Sequence, residues 1–548
     1  MAETTERGRR LIPRLVDELA RTEPSRIVYS IPLSGDISQG FREVSARGFA
    51  DAVNKTAWWL HETVDRSESF ETITYIGPHD LRYSLLILAT IKVGFKLLLL
   101  SPNNSKEGAA ACLDATQCRL WAQPQGRPRN PLLTELLVTH ELQIIDVPPC
   151  EELLDAAGTR HYPYTKTFEE AAKEPFCVLH SSGSTGVPKT IPVTHGLIAT
   201  QDAMKLLQPV KGHESLTPWA ALFDKGARIY SPNAIIHATA IIVNLLSTFF
   251  FETHCIMSPV DVEPTMDLFA GIADHGNVDI WFVSPQYIND LAQAPRTLAK
   301  VKRSRFIATA GGPMSPESGA AVNEQIRVFN MTGTSEGFMS SVLLVDPADF
   351  LYFAWHPNSV YDFREVEPGI YEHWIVRDPA QDLYQGIFYT FPDAQEVNLK
   401  DLYVKHPAKP DHWLYYGRND DIVALSDGFK ITPSDIQATI ADHPAVKDCL
   451  MVGVGQPAPG LLVELSGPKP RDPVALQGLI DSIQEFVKKA DNSSLYKGYL
   501  HKDCLILADP ARPFVRTDKL TVKRRETLAL YEQDIDRFYR NRQSGVAS

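Results

Sequence analysis

The sequence predicts an α/β protein: a large N-terminal domain of layered, mostly parallel sheets and helices, then a small, mobile α+β domain at the C-terminus. Three observations predict it. Through roughly the first 400 residues, short apolar runs bounded by turn formers alternate with stretches of helical spacing, the pattern of strands joined by crossover helices. The texture breaks at His406-Pro407-Ala408-Lys409-Pro410-Asp411, where two prolines rule out helix. The length of 548 residues, with 44% hydrophobic and 22% charged, is that of an ordinary globular composition spread over two to four domains.

Each element follows in order. The first twenty residues, MAETTERGRRLIPRLVDELA, mix charges with apolar residues and lack the apolar core of a secretory signal. Leu81 to Lys92 (LRYSLLILATIK) has helical spacing, and Leu97 to Leu100 is an apolar run stopped by Ser101-Pro102, as a buried strand would be. Pro175 to His180, Ile280 to Val283 and Arg305 to Ala310 are further strand-like runs. Ile229 to Phe251 contains no Asp, Glu, Lys or Arg and is long enough to span a bilayer. Pro232, Asn233, His237 and Asn244 interrupt it, however, and these are unfavourable in hydrocarbon; the expectation is a buried helix beside a ligand pocket, with no membrane partner. Trp413-Leu414-Tyr415-Tyr416 leads into the polar break Gly417-Arg418-Asn419-Asp420-Asp421, which sets the boundary between a large domain, 1–416, and a small one, 417–548. Leu528, Tyr531, Ile535 and Phe538 recur at helical spacing, predicting a helix over 527–539 docked on the small domain.

Charge and cysteines bound the function. A net charge of −13 argues against a broad polyanion-binding surface, so nucleic acid is not an expected partner. The seven cysteines (Cys112, Cys118, Cys150, Cys177, Cys255, Cys449, Cys504) are scattered and form no C-x-x-C pair. They read as free thiols of a reducing compartment, which makes the cytoplasm the expected location.

The stretch LHSSGSTGVPKTIPVTHG, Leu179 to Gly196, lies one residue away from a Walker phosphate loop and is not one. Where that loop needs its second glycine stands Pro188, which has no N–H to offer a phosphate. After Lys189-Thr190 comes Ile191-Pro192-Val193-Thr194, which favours strand over the helix such a loop opens. What remains is a strand, a loop of hydroxyls and glycines (Ser181, Ser182, Gly183, Ser184, Thr185, Gly186) with one lysine, Lys189, and a second extended segment. Hydroxyl and backbone donors of this kind suit a triphosphate tail.

With its SSGSTG-x-PK core, this loop resembles the phosphate signature of the adenylate-forming superfamily, which comprises acyl-CoA synthetases, luciferases and adenylation domains of nonribosomal peptide synthetases. Five further motifs follow in the family's order. Ala310-Gly311-Gly312-Pro313 is similar to its glycine turn, implying that Gly311 and Gly312 line the adenine and the acyl pocket. Asn330-Met331-Thr332-Gly333-Thr334-Ser335-Glu336 resembles Y-G-x-T-E, with Thr332 in place of the tyrosine and Ser335 in place of the threonine. The match implies that Asn330, Met331 and Thr332 flank the nucleotide, that Gly333 borders the acyl group, that Ser335 contacts the α-phosphate and that Glu336 binds Mg²⁺. Asn398-Leu399-Lys400-Asp401-Leu402 stands for T-G-D-L, giving Asp401 the ribose hydroxyls. Gly417-Arg418-Asn419-Asp420-Asp421 resembles G-R-x-D-D, with Arg418 on the ribose and Asp420 as hinge. Arg516 to Arg524 (RTDKLTVKR) is similar to the catalytic-lysine motif and gives that role to Lys519, with its neighbours Lys523 and Arg524 as controls against a plain solvated basic run. Taken singly, each is an ordinary turn or surface charge; their joint order carries the assignment.

The resemblance implies a ligase that uses ATP and Mg²⁺ to turn a carboxylate into an acyl-AMP with release of pyrophosphate, then passes the acyl group to a thiol after the small domain swings and Lys519 leaves. Gly428, in Ser426-Asp427-Gly428-Phe429-Lys430, falls where the family lines the thiol's path. The forms HSSGSTG, KDLYVKHP and YYGRNDD are most similar to fungal synthetase-like carboxylic acid reductases of secondary metabolism. That branch implies a phosphopantetheine thiol on a carrier domain, in cis in a longer parent protein or in trans, ahead of reductive release. Two alternatives stay open: an acyl-CoA synthetase using free CoA, and a non-catalytic nucleotide- and acyl-binding regulator. In amino-acid-activating relatives an Asp pairs with the substrate ammonium; matching His237 to the preceding position puts Ala238 there. An unpaired buried ammonium is costly, so an amine-free acid is expected, first an aryl acid of hydroxybenzoate or orsellinate type and then betaine-like or aliphatic acids.

Overall fold

The computed structural model describes residues 6–181, 188–210, 222–427, 429–493, 500, 503–517 and 520–543. Two large sheets organise the N-terminal part. One has seven strands in the order Val328–Asn330, Phe306–Thr309, Ile280–Val283, Arg228–Tyr230, His254–Ile256, Ile27–Pro32, Phe41–Ser45, all parallel except the last pair. The other has six, Gln143–Val147, Leu120–Pro124, Thr72–Tyr75, Lys96–Leu98, Pro175–Ser181, Lys189–Thr194, again parallel except the last pair. Helices Ala46–Val64, Arg82–Val93 and the helical stretch from Ala238 to Phe250 share one core with strand residues of both sheets, among them Leu97, Cys177, Val28 and Ile280. Every residue of Arg82–Val93 is buried, and the helix stops at Gly94, whose φ of +93° suits glycine. A Cβ there would stand 2.1 Å from the Ser67 carbonyl oxygen.

The strand-like runs of the sequence fall where expected, with two differences. The uncharged stretch from Ile229 is not helical throughout: Ile229 and Tyr230 are strand, and helix begins only at Ala238, winding as a π-helix over Ile242–Ser247. The polar residues explain the form, since the Asn244 amide donates to the Ala240 carbonyl (2.8 Å) and the Tyr29 hydroxyl to the Asn244 carbonyl (2.6 Å). Among the described residues no helix is long and apolar enough to cross a membrane. The C-terminal helix is in fact two, Arg524–Leu530 and Glu532–Gln543, because Tyr531 leaves helical geometry to bury its ring and donate its hydroxyl to the Asp509 and Arg512 carbonyls.

A five-stranded antiparallel sheet, absent from the sequence expectation, follows: Tyr352–Phe353, Trp413–Arg418, Glu396–Lys405, Ile370–Val376, Tyr361–Glu367. His373 sits in it among Trp355, Tyr361, Phe363 and Tyr403, 1% exposed, with neither ring nitrogen hydrogen-bonded. Burial lowers its pKa to about 3. In the unfolded chain it titrates near 6.5, so below that pH the unfolded state takes the proton and the native state does not. Its contribution is therefore complete above pH 6.5 and lost as pH falls towards 3, by about 1.4 kcal/mol per unit. Asp401, Asp435 and Asp448, each raised to about 6 by burial, act in the opposite sense, so the comparison must be differential. His373→Phe, compared with the parent chain in urea at pH 7.5 and 5.5, is expected to remove about 1.4 kcal/mol of acid sensitivity; identical pH dependence in both would show that His373 protonates in the fold.

The smaller C-terminal domain is built on Val446–Val452, Gly460–Leu465 and Leu505–Leu507. Strand alternation divides its faces: Cys449, Met451, Leu461 and Val463 pack with helices Ser434–Ala441 and Pro473–Ser493, while Leu450, Val452 and Leu462 pack with the two terminal helices. All seven cysteines are free and buried.

Candidate functional site

The Gly311-Gly312 turn and the Asn330 motif follow the carboxyl ends of two adjacent parallel strands, Phe306–Thr309 and Val328–Asn330, where open α/β sheets bind ligands. Gly311-Gly312 follows Phe306–Thr309, and Gly311 takes a φ of +106° that admits little but glycine. Asn330 ends the adjacent strand and Met331, 2% exposed, donates its N–H to the Thr309 carbonyl (2.8 Å). Gly333-Thr334 and Phe338-Met339 pair as a tight hairpin, with Ser335 and Glu336 at its tip. A Cβ on Gly333 would lie 2.3 Å from the Phe338 carbonyl oxygen, so that position excludes a side chain. Phe338 itself has a φ of +59°, rare for an aromatic residue and typical of functional sites. The Thr390 hydroxyl donates to the Glu336 carbonyl (2.7 Å), fixing the tip from a second element.

Asp401 and Arg418 are register partners on neighbouring strands, and a guanidinium nitrogen of Arg418 lies 3.2 Å from the Asp401 carboxylate. Burial is the main cause that pushes Asp401 up to about 6; Arg418 opposes it, and Asp420, Asp421 and Glu336 add to it. Four carboxylates thus share one field with Arg418, and Arg524 acts on Asp421 as well. Asp420 lies in the short turn Asn419–Asp421, 3.5 Å from Arg418 and 3.8 Å from Lys400. Lys189 opens its strand, with its ammonium 5.6 Å from the Phe391 ring centroid. Ser181 ends the partner strand, while Ser182, Gly183, Ser184, Thr185 and Gly186 lie outside the described residues, as do Gly428 and Lys519. His237 precedes the helical turn that buries Ala238 and Thr239.

The segment that carries Lys519 is fixed on both sides. Arg516 pairs with Glu464 (2.5 Å) and Asp448 (3.2 Å); Thr517 donates its N–H to the Thr521 carbonyl (2.8 Å), and the two threonine hydroxyls are 2.6 Å apart. A Cβ on Gly312 would stand 4.0 Å from the Thr521 methyl. The small domain therefore brings Thr521 against the glycine turn. Sequence reasoning missed that contact, and it missed the Thr390 bond. The basic run is not solvated throughout: the Lys523 side chain is 14% exposed and pairs with Glu526 (3.4 Å), and Arg524 donates to the Met451 carbonyl and the Gln437 amide oxygen.

The donor set fits the groups expected here. Mg²⁺ in phosphate chemistry takes one or two carboxylates and fills its shell with phosphate and water; Glu336 would supply one, and no group of three metal-ligating side chains occurs among the described residues.

Comparison with known proteins agrees with this arrangement. Residues 16–353 match the AMP-binding enzyme family, and 420–543 match the AMP-binding enzyme C-terminal domain. The chain is 46% identical over 535 residues to the isocyanide synthase–NRPS hybrid crmA of Aspergillus fumigatus, covering 98% of this chain and 34% of that protein. It is 30% identical to a carboxylic acid reductase of Neurospora crassa, covering 99% and 52%. The chain thus spans a third to a half of the length of these curated relatives. Among solved structures, an anthranilate CoA ligase in complex with anthranoyl-AMP superposes with a TM-score of 0.71 at 13% identity over 96% of this chain and 98% of that one. The adenylation domain of a Mycobacterium chelonae carboxylate reductase gives 0.68 at 15%, over 97% and 91%. With its two family matches and its smaller domain set against the glycine turn, the chain belongs to the AMP-binding family of adenylate-forming enzymes.

Proposed function

We propose that the chain activates an amine-free carboxylic acid as its acyl-AMP and hands the acyl group to a phosphopantetheine thiol on a carrier domain of a longer, cytoplasmic protein. The observation that carries the first half is the gathering of charge at Asp401, which pairs with Arg418 and feels Glu336, together with Thr521 of the small domain set against the Gly311-Gly312 turn. In this reading the domains divide at 416/417, which the separate family match from residue 420 supports. Asp401 and Arg418 take the ribose. Lys189 and the Ser181–Gly186 connection hold the triphosphate, Ser335 donates to the α-phosphate, and Glu336 holds Mg²⁺, which neutralises phosphate charge when bound. Lys519 bridges the substrate carboxylate and the α-phosphate as charge accumulates there. The acid lies between Gly311, Gly333, His237 and Ala238, and the thiol enters past Gly428.

Relatives with additional segments support a carrier in cis. An aryl acid agrees with the anthranoyl-AMP held by the structural neighbour, whose ring amine is an uncharged arylamine and needs no carboxylate partner, unlike the ammonium of an α-amino acid. A second reading is favoured by the 46% relative, whose name joins an isocyanide synthase to the same type of domain: an acid whose amine is masked as isocyanide carries no ammonium and equally suits Ala238. ATP–pyrophosphate exchange over aryl, aliphatic, isocyano and free amino acids separates these readings. Exchange with free amino acids alone would overturn the amine-free assignment, and ATP binding without exchange for any acid would favour a regulator. Equal thioester yields with free CoA and a phosphopantetheinylated carrier would remove the preference for the carrier. Glu336→Gln is expected to raise the Mg²⁺ requirement for exchange by about tenfold or more with little effect on folding; an unchanged requirement places the ligand elsewhere.

A further inference from the structure

Some of the contacts that hold the small domain in its present pose lie outside every catalytic motif. Ser315 caps the N-terminus of helix Pro316–Asn323 in the large domain by accepting the Ser318 N–H (3.1 Å). Asp442, which ends helix Ser434–Ala441 of the small domain, places one carboxylate oxygen against the same two residues, accepting from the Ser315 hydroxyl and from the Ser318 hydroxyl (3.3 Å). Both serines are buried, at 3% and 6% exposure. A carboxylate at a helix N-terminus is favoured by the helix dipole and by charge-assisted hydrogen bonds together. On the next residue of that helix Glu317 meets Lys489 of the small domain at 2.5 Å, an exposed pair that adds orientation more than strength. The Thr521–Gly312 contact lies on the same interdomain face.

We propose that Asp442, with Ser315 and Ser318, is an interdomain latch: a positioning residue that holds the Lys519 segment over the glycine turn during acyl-AMP formation and releases when the small domain turns. This rests on the two-step reading above. Asp442 touches no reacting atom and acts by weighting one pose of the domain against the other. Loss of a contact made in one pose only shifts their ratio by the full value of that contact. For two hydrogen bonds to a charged acceptor the shift is about tenfold or more. Loss of the latch slows the first half-reaction and leaves the second alone or speeds it.

The test uses the 548-residue chain with fluorophores on Val138→Cys and Val474→Cys, each position 79% exposed, one in each domain. Without any ligand, Asp442→Ala is expected to move the interdomain energy-transfer distribution away from that of the parent, and Asp442→Asn, which keeps an acceptor for both hydroxyls, to restore part of it. In single turnover with saturating ATP and acid, acyl-AMP formation by Asp442→Ala is expected to fall about tenfold, while thioester formation from supplied acyl-AMP is unchanged or faster. An unchanged distribution overturns the latch, and so does equal loss in both half-reactions. A shifted distribution in a chain that supports no exchange with any acid keeps the latch and sinks the catalytic reading, so the two fail separately.

Discussion

Lys519→Ala is expected to lower acyl-AMP formation by about a hundred- to a thousandfold, roughly 3 to 4 kcal/mol of transition-state stabilisation, and to leave thioester formation from supplied acyl-AMP intact. The asymmetry follows from charge. Negative charge builds between the substrate carboxylate and the α-phosphate only while the first bond forms, and an ammonium held there in advance is worth most at that moment. The structure narrows the controls. Lys523 and Arg524 are tied into the small domain, so their loss would disturb its packing; Arg525, exposed in the same run, is the proper neighbour to change. Arg525→Ala is expected to be mild in both steps, and a bulky replacement of Gly428 to harm the second step only. Equal loss in both steps for Lys519→Ala would end the two-pose mechanism.

The largest expected loss of stability lies far from the chemistry. Asp202 is fully buried and accepts from Arg7 (2.9 Å), from the Gly8 N–H (3.0 Å) and from two nitrogens of Arg10 (2.9 and 2.6 Å). The same arginines donate to the Phe250 carbonyl at the end of the long buried helix. Asp202→Ala would strand two largely buried guanidinium groups, a change that costs about 3 to 5 kcal/mol. By contrast Glu169→Ala breaks a pair with Arg9 whose side chains are 66% and 65% exposed, expected to cost under about 1 kcal/mol. Denaturant midpoints of both variants check this. A cost for Asp202→Ala no greater than that for Glu169→Ala would mean that Arg7 and Arg10 are satisfied by water. A cleavage site opening near residues 7–10 in the Asp202 variant alone would show the N-terminal strap detaching.

The parts of this fold legible in sequence are those with local causes. Pro188 and Pro192 exclude a Walker loop without any tertiary knowledge, and the segment from Lys189 through Pro192 pairs as strand, with His180 opposite Thr190. Apolar runs such as Ile280–Val283 are strands because they are buried on both faces. The antiparallel five-stranded sheet was not legible: its strands are half-buried and mixed in polarity, as in Tyr361–Glu367, so neither periodicity nor composition marks them. The break of the last helix at Tyr531 depends on the distant Asp509 and Arg512 carbonyls. Motif order singled out Asp401, Arg418 and Glu336, which act on one another in the fold, and the Gly311-Gly312 turn. It was silent on Asp442, because Ser315-Pro316-Glu317 reads as a helix start whatever docks on it, and a partner 127 residues away leaves no local trace.

The burial of every cysteine has a use. A thiol is attacked through its thiolate, and here desolvation raises the pKa of all seven. A maleimide in solution therefore meets almost no reactive sulfur until the backbone opens around one. Five thiols lie in the large domain and two, Cys449 and Cys504, in the small one. The two sets are clocks running on separate breathing rates, so the order in which sulfurs are modified, read by mass, times the opening of each domain without an added probe.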